Sequence, residues 1–183
     1  MRFLNFIFLF SFALCRASDF QEVTTKLTFP EKCDSWTRTR VDEDARKTVG
    51  VSVAYSIKNG STVTCRIFDG QFGPPRDNSE AIQKEMSEIA AGIVAVWQRL
   101  GATVEMLMPP SPIPSDKNQF VMVHRITHPK QSTVSITFFR FYEGRYLSFR
   151  FSTPEQDTTA AFNELGRFLK ALKESRKVAR LES

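Results

Sequence analysis

Histidine and cysteine, two residue types that often do chemistry in proteins, are rare in this sequence. His124 and His128 are the only histidines, and the sequence pattern places the first on a strand and the second in a turn. Metal sites usually hold closely spaced pairs of Cys or His ligands, and two histidines placed in this way do not form such a pair. The sequence therefore predicts structural or exposed histidines and no metal site.

The motifs that accompany nucleophiles and cofactors are also missing. The chain has no Gly-x-Ser-x-Gly sequence, no phosphate-binding glycine loop and no Cys-x-x-Cys pair, so we expect no cofactor. A Ser–His–Asp triad is assembled in space and leaves no fixed spacing in the sequence. The sequence favours a non-enzymatic protein, with a secreted, hydrolase-like enzyme as the alternative.

The first 17 residues have the pattern of a secretory signal peptide. Residues 3–15 are almost wholly apolar and follow Arg2, and Cys15-Arg16-Ala17 places small residues where signal peptidase requires them. The apolar run is short for a bilayer span, although an uncleaved anchor is the alternative. We expect a signal peptide at 1–17, a single domain at 18–183, and a secreted or periplasmic protein.

Charge and cysteine content narrow the class of protein further. Cleavage would remove Arg2 and Arg16 and no acid, so the formal net charge would fall by two, from +5 to +3. That charge density excludes a nucleic-acid binder as the expected class. Cys33 and Cys65 would remain, and an oxidising compartment allows them to form a disulfide. The alternative for Cys65, on the apolar face of a strand, is a buried thiol.

Any functional residues must be positioned by two hairpins and two helices. Apolar residues alternate on either side of Glu143-Gly144, and a two-residue loop there pairs Phe138 with Phe149. Thr153 then has the pattern of a helix N-cap, followed by helical spacing to Leu172. In the earlier hairpin, a three-residue loop at 58–60 matches the apolar faces better than a two-residue loop does.

A single apolar stripe over residues 82–100 predicts a long helix that is capped near 77–79 and ends at Gly101. Residues 109–114 are rich in proline and predict an extended connector, and 119–127 predict a strand. The fold class is α+β: an antiparallel sheet of about six to seven strands packed with two long amphipathic helices, resembling an α/β/α sandwich.

Two surfaces could contact a partner. The closing hairpin carries a basic and aromatic set, which we take as the candidate contact surface. Its members are Phe139, Arg140, Phe141, Tyr142, Arg145, Tyr146 and Arg150. The last helix has a basic flank that could lie weakly on an anionic membrane surface or contact an acidic partner, although the glutamates within it favour a solvated helix face. This flank consists of Arg167, Lys170, Lys173, Arg176, Lys177 and Arg180.

Three strands and a turn resemble a pattern found in uncharacterised bacterial exported proteins, which are periplasmic or lipoprotein-like. The strand at 49–55, the turn at Gly60 and the strand at 63–70 are similar to their first hairpin, and 146–154 to their last strand. This chain has Val51 where the pattern has Tyr. The order of elements also resembles PsbP/Mog1-like domains. The resemblance implies an exported α+β domain and carries over no catalytic residues.

These observations favour an exported, non-enzymatic binding or assembly module. We expect its partner to be a protein or a cell-envelope component and expect no nucleic acid. The alternatives are the secreted enzyme and a membrane-surface protein that acts through the basic last helix.

Overall fold

The structure, a computed structural model, describes residues 19–44, 50–70, 74–154 and 156–181, with side chains described as far as Glu174. The predicted signal peptide at 1–17 lies outside these residues and stays a prediction. Within the described residues, no helix is both long and apolar enough to cross a membrane.

An eight-stranded antiparallel sheet forms the centre of the fold, with strand order β3-β4-β5-β6-β10-β9-β8-β7. Two further strands, β1 and β2, pair only with each other. The elements in chain order are β1 (Phe20–Gln21), β2 (Thr28–Phe29), β3 (Lys32–Cys33), β4 (Trp36–Glu43), β5 (Val51–Ser56), β6 (Thr62–Phe68), α1 (Ser79–Arg99), β7 (Thr103–Ile113), β8 (Asp116–His128), β9 (Gln131–Tyr142), β10 (Arg145–Thr153) and α2 (Thr158–Leu181).

Successive side chains of a strand point to opposite faces, and each face of this sheet has its own core. On one face, Leu165 and Phe168 of α2 belong to a core with Tyr55 and Ile136. On the other face, Met86 of α1 lies in a core with Phe68, Phe120 and Phe139 among others. The α+β class and the sandwich arrangement are confirmed. In the part of the chain that the structure describes, the sheet has eight strands rather than about six to seven.

Both hairpin registers are as predicted, because only these pairings keep the apolar residues on one face. Phe138 is opposite Phe149 across the Glu143-Gly144 loop. In the earlier hairpin Tyr55 is opposite Val63, and Ile57 N–H donates to Ser61 O at 3.1 Å, which leaves a three-residue loop.

Two local predictions are wrong. Helix α2 begins at Thr158, and the Asp157 carboxylate accepts from Thr159 N–H at 2.8 Å. Thr153 instead ends β10, where its hydroxyl accepts a hydrogen bond from Ser61 at 2.9 Å. The proline-rich segment is not a connector but continues β7 to Ile113. Proline is tolerated there because β7 is an edge strand, with no outer neighbour that needs its N–H.

The disulfide between Cys33 and Cys65 is not present, and both residues are buried thiols. Cys33 lies in β3 and Cys65 in β6, with two strands between them. Three strand spacings amount to about 14 Å, whereas a disulfide requires Cα atoms within about 7 Å. The Cys33 thiol lies 3.9 Å from the carbonyl oxygen of Phe168, within the α2 core.

Candidate functional site: a cationic groove beside the first helix

Helix α1 covers only part of its face of the sheet. Asn78 caps its first turn by accepting a hydrogen bond from Ala81 N–H at 2.8 Å. The helix then packs on β7, β8 and β9 and buries Ile82 and Met86. Strands β6 and β10 lie beyond its flank, and their side chains on this face form the floor of an open groove.

This face of the sheet changes from aromatic to polar along the strands. Near the start of α1 it carries the buried aromatic cluster of Phe68, Phe139 and Tyr146, with the Phe139 and Tyr146 ring centroids 5.0 Å apart. Further along, each rung of the ladder brings polar residues together. The polar rungs are Ser148–Arg66, Thr137–Arg150–Thr64 and His124–Ser135–Ser152–Thr62. The polar rungs lie towards the end of α1.

The groove between the end of α1 and these rungs, here called the α1 groove, has a volume of about 300 Å³. Its floor is cationic, with Arg66 from β6 and Arg150 from β10. Its wall is mainly apolar and comes from α1. The wall residues are Glu88, Ile89, Gly92, Ile93, Val96 and Trp97. A side chain at Gly92 would meet no atom within 4 Å, so the groove is open at that point.

The two arginines are only partly exposed to solvent. Burial lowers the pKa of both guanidinium groups, because a charge inside the protein loses its hydration. Arg150 Nε donates a hydrogen bond to Ser135 Oγ at 3.0 Å, and Arg66 lies over the Phe68 ring at 5.0 Å from its centroid. Among the described residues no carboxylate forms an ion pair with Arg150. Its positive charge is therefore balanced by no acid there.

Behind Arg150, two buried polar side chains have no hydrogen-bond partner in the described part of the chain. They are His124, which is fully buried, and Thr137, whose hydroxyl lies on the same rung as Arg150. Burial is the main cause that lowers the pKa of His124, and the charge of Arg150 lowers it further. His124 is therefore a neutral imidazole at pH 7. Buried polar groups without partners are rare in proteins and call for an explanation.

Chemically, the α1 groove can hold an anion beside an apolar surface. Guanidinium groups present several N–H donors in a fork that suits carboxylate and phosphate oxygens. The volume is at the lower end of the range for small-molecule sites. No group of three or more His, Cys, Asp or Glu residues that could hold a metal ion occurs in the described ranges.

The structure divides the sequence-predicted contact surface between the two faces of the hairpin. Phe139 and Tyr146 lie beneath α1, and Phe141 packs at the edge of the same core. The seven residues do not meet as one surface, and their contact with a partner stays a prediction. Only Arg150 reaches the α1 groove. The other three, Arg140, Tyr142 and Arg145, lie on the α2 face of the sheet.

Arg145 forms ion pairs within the protein and does not line the groove. It is 9% exposed, and its guanidinium lies 3.2 Å from Glu22 and 2.6 Å from Asp69. This cluster ties the segment before β2 and the end of β6 to the closing hairpin. Arg140 is half-buried and its Nε donates to the Phe141 carbonyl oxygen at 3.3 Å.

The basic flank of the last helix is described only in part. Arg167, Lys170 and Lys173 are exposed, and Lys170 lies 4.0 Å from Glu174 in an ion pair. The side chains beyond Glu174 lie outside the described residues, so weak membrane contact through this flank stays a prediction.

Sequence reasoning did not predict that Arg66 and Trp97 line one groove, or that His124 lies buried behind it. One signal in the sequence could have indicated Arg66. Cys65 and Ile67 lie on the apolar face of their strand, so Arg66 between them must point to the opposite face. Arg66 meets Arg150 only because β6 pairs with β10, a contact between segments more than 75 residues apart. Local patterns contain no information about that pairing.

The fold defined by this sheet and its two helices is that of PsbP-like domains. Among solved structures, the chain is similar to cyanobacterial PsbP (CyanoP) from Synechocystis sp. PCC 6803, with a TM-score of 0.51. The match covers 84% of this chain and 89% of CyanoP at 8% sequence identity, so the likeness establishes the fold alone. No protein-family model and no curated protein matches the chain.

Proposed function

We propose that this chain is an exported, non-enzymatic binding module that holds an anionic ligand in the α1 groove. The observation that supports it best is the partly buried Arg150 on the groove floor, with Arg66 beside it. Burying a cation costs free energy unless an anion or several hydrogen bonds compensate. A ligand that supplies the anion recovers part of that cost, which makes the groove a binding site for anions.

The partner that supplies the anion is a protein or a cell-envelope component. The PsbP-like fold is compatible with this function because its sheet and helices supply a rigid floor and wall. Export rests on the signal-peptide pattern at 1–17, which predicts contact with the envelope or the medium. Expression of the full chain in a bacterial host tests this part. We expect a periplasmic product that begins at Ser18.

Anion binding is tested by thermal unfolding of the mature protein in increasing phosphate at constant ionic strength. An anion that binds only the folded state raises the unfolding midpoint with concentration. We expect this increase in the wild type and a much smaller one in Arg66→Gln and Arg150→Gln. Arg40→Gln is the matched control, because Arg40 is an exposed arginine on the distant strand β4. Equal increases in all four proteins would contradict the proposal.

A further inference from the structure

We infer that the ligand of the α1 groove is an amphiphilic monoanion, with its charged head between Arg66 and Arg150 and its apolar portion along α1. This inference rests on the proposed function and specifies the class of ligand. It follows from three features of the groove: the spacing of the arginines, the chemistry of the wall and the charge balance.

The two arginines can reach one head group. Arg66 is opposite Ser148, and Arg150 is opposite Thr64, so they are diagonal neighbours on adjacent strands and share a face. Diagonal neighbours are about 7–8 Å apart, within the combined reach of two long side chains. A carboxylate or phosphate between them accepts hydrogen bonds from both guanidinium groups.

The wall above this head position is apolar and open. Ile93 and Trp97 are half-buried, Val96 is 53% exposed, and Leu100 one turn further is 58% exposed. Exposed apolar side chains are ordinary when scattered, but here they adjoin a groove with cationic residues on its floor. An alkyl or similar apolar portion that lies along them removes apolar surface from water, which is favourable.

The charge of Arg150 calls for one anionic group. Among the described residues no carboxylate forms an ion pair with it, although Glu88 also lines the groove. A single anionic head group beside Arg150 therefore balances its charge. A fatty-acid carboxylate and the phosphodiester of a phospholipid both carry one negative charge beside apolar chains.

The buried polar side chains behind Arg150 support a polar ligand at this end. The ring nitrogens of His124 and the hydroxyl of Thr137 are buried without partners, and they lie on the same face and on the same or the next rung as Arg150. They extend the polar environment of the head position into the sheet. An entirely apolar ligand would leave the charge of Arg150 without an anion.

Tryptophan fluorescence tests the inference, because the chain has two tryptophans and only Trp97 lines the groove. Trp36 is 2% exposed and packs with Phe151 and Phe168 on the opposite face. Decanoate is added as monomers to the mature protein, and decanol, decyltrimethylammonium and acetate are compared with it. We expect a saturable change with decanoate that is lost in Trp97→Phe, and at least tenfold weaker binding of the other three.

Arginine variants connect the signal to the head position. We expect Arg66→Gln and Arg150→Gln each to weaken decanoate binding about tenfold or more, because each removes a charged hydrogen-bond donor. Arg150→Lys should bind more tightly than Arg150→Gln, and Arg40→Gln should bind as the wild type does. Circular dichroism and the unfolding midpoint of each variant confirm that it is folded.

A second arm identifies the source of the head group. Flotation with phosphatidylglycerol vesicles, lost in the same two variants, would assign the ligand to a membrane lipid, whereas decanoate binding without flotation would assign it to a soluble amphiphile. Decanol binding as tightly as decanoate would overturn the inference. Vesicle binding that is unchanged in Arg66→Gln and Arg150→Gln would also overturn it. If phosphate stabilises the protein through Arg150 but decanoate binds no better than acetate, the inference fails and the proposed function stands. If no anion binds, both fail.

Discussion

At the scale of single residues, the described part of the chain contains two kinds of buried charge. Arg145 is buried with two carboxylates, Glu22 and Asp69, and therefore acts in stability. Arg150 is partly buried beside a serine hydroxyl and a neutral histidine, and therefore is suited to an external anion. The difference lies in the partners that surround each guanidinium, since both residues belong to the same strand.

Arg145→Gln should strongly destabilise the protein. Removing one partner of a buried ion pair leaves the other charge without compensation, which costs about 3–5 kcal/mol. Arg125→Gln is the control, because its ion pair with Glu105 at 2.8 Å is exposed and should be worth less than about 1 kcal/mol. Urea unfolding measures both free energies. A loss for Arg145→Gln as small as that for Arg125→Gln would show that the cluster contributes little.

His124 should make the folded protein less stable in mild acid. Its pKa in the folded state lies below the usual 6.5, because of burial and then Arg150, so the unfolded chain takes up the proton first. The stability that the neutral ring allows is full above pH 6.5 and decreases as the pH falls from there towards the folded pKa.

The measurement is the free energy of unfolding of wild type and His124→Gln between pH 8 and pH 5, with His128→Gln as the control. His128 is half-buried at the end of β8, so its variant controls for the loss of a histidine elsewhere in the sheet. The His124→Gln profile should be flatter in this range. Parallel profiles for all three proteins would contradict a buried neutral imidazole at position 124.

At the scale of elements, the sequence predicted what neighbouring residues determine. The registers of both hairpins follow from alternating apolar residues. The start of α1 after its cap Asn78 follows from the capping residue and the apolar stripe. Thr153 is the instructive error: the residues after it fit a capping box, but Thr153 itself ends β10 and pairs with Val134 of β9. Strand pairing took precedence over a local helix signal.

The α1 groove could not be predicted in the same way. It requires β6 to lie beside β10 and α1 to leave both strands uncovered. Both conditions depend on contacts between segments that are far apart in the sequence. Arg66 and Arg150 are more than 80 residues apart in the chain, so their meeting has no local pattern. The apolar stripe of α1 correctly predicted a helix that packs on a sheet, but did not indicate which side of it would remain open.

Gly50 lies directly before β5, at a position where the backbone leaves no room for a side chain. Its φ is +67°, and a Cβ there would lie 1.9 Å from the Ile67 carbonyl oxygen. Gly144 has a similar φ of +78° but no atom within 4 Å of the Cβ position. Gly144→Ala should cost about 1–2 kcal/mol from the left-handed backbone alone. Gly50→Ala should cost at least about 2 kcal/mol more, because β6 must move. Equal losses in urea unfolding would contradict the close approach of β6.

At the scale of the whole molecule, the sheet packs against a separate core on each face, and the two cores differ in composition. The α2 core is mainly apolar and includes both cysteines, Cys33 and Cys65. The α1 core is aromatic at one end and gives way to the cationic groove at the other. The likeness to CyanoP at 8% identity establishes the fold alone, so the groove must be tested in this chain.

Cysteine chemistry gives a test at this scale. Cys33 and Cys65 are both buried, so a thiol reagent should react slowly with the folded mature protein. After denaturation without a reductant it should titrate two thiols per chain. No thiols would indicate a disulfide, and would mean that β3 and β6 approach much more closely than their places in the sheet allow.

The most direct test of the groove is a ¹⁵N–¹H spectrum of the mature protein during titration with decanoate. The two tryptophan indole N–H groups report on opposite faces of the sheet, Trp97 at the groove and Trp36 in the α2 core. We predict that the Trp97 indole and the Arg150 Nε–H signals shift in proportion to occupancy, while the Trp36 indole stays in place. Saturable shifts confined to Trp36, or to the last helix, would contradict the account.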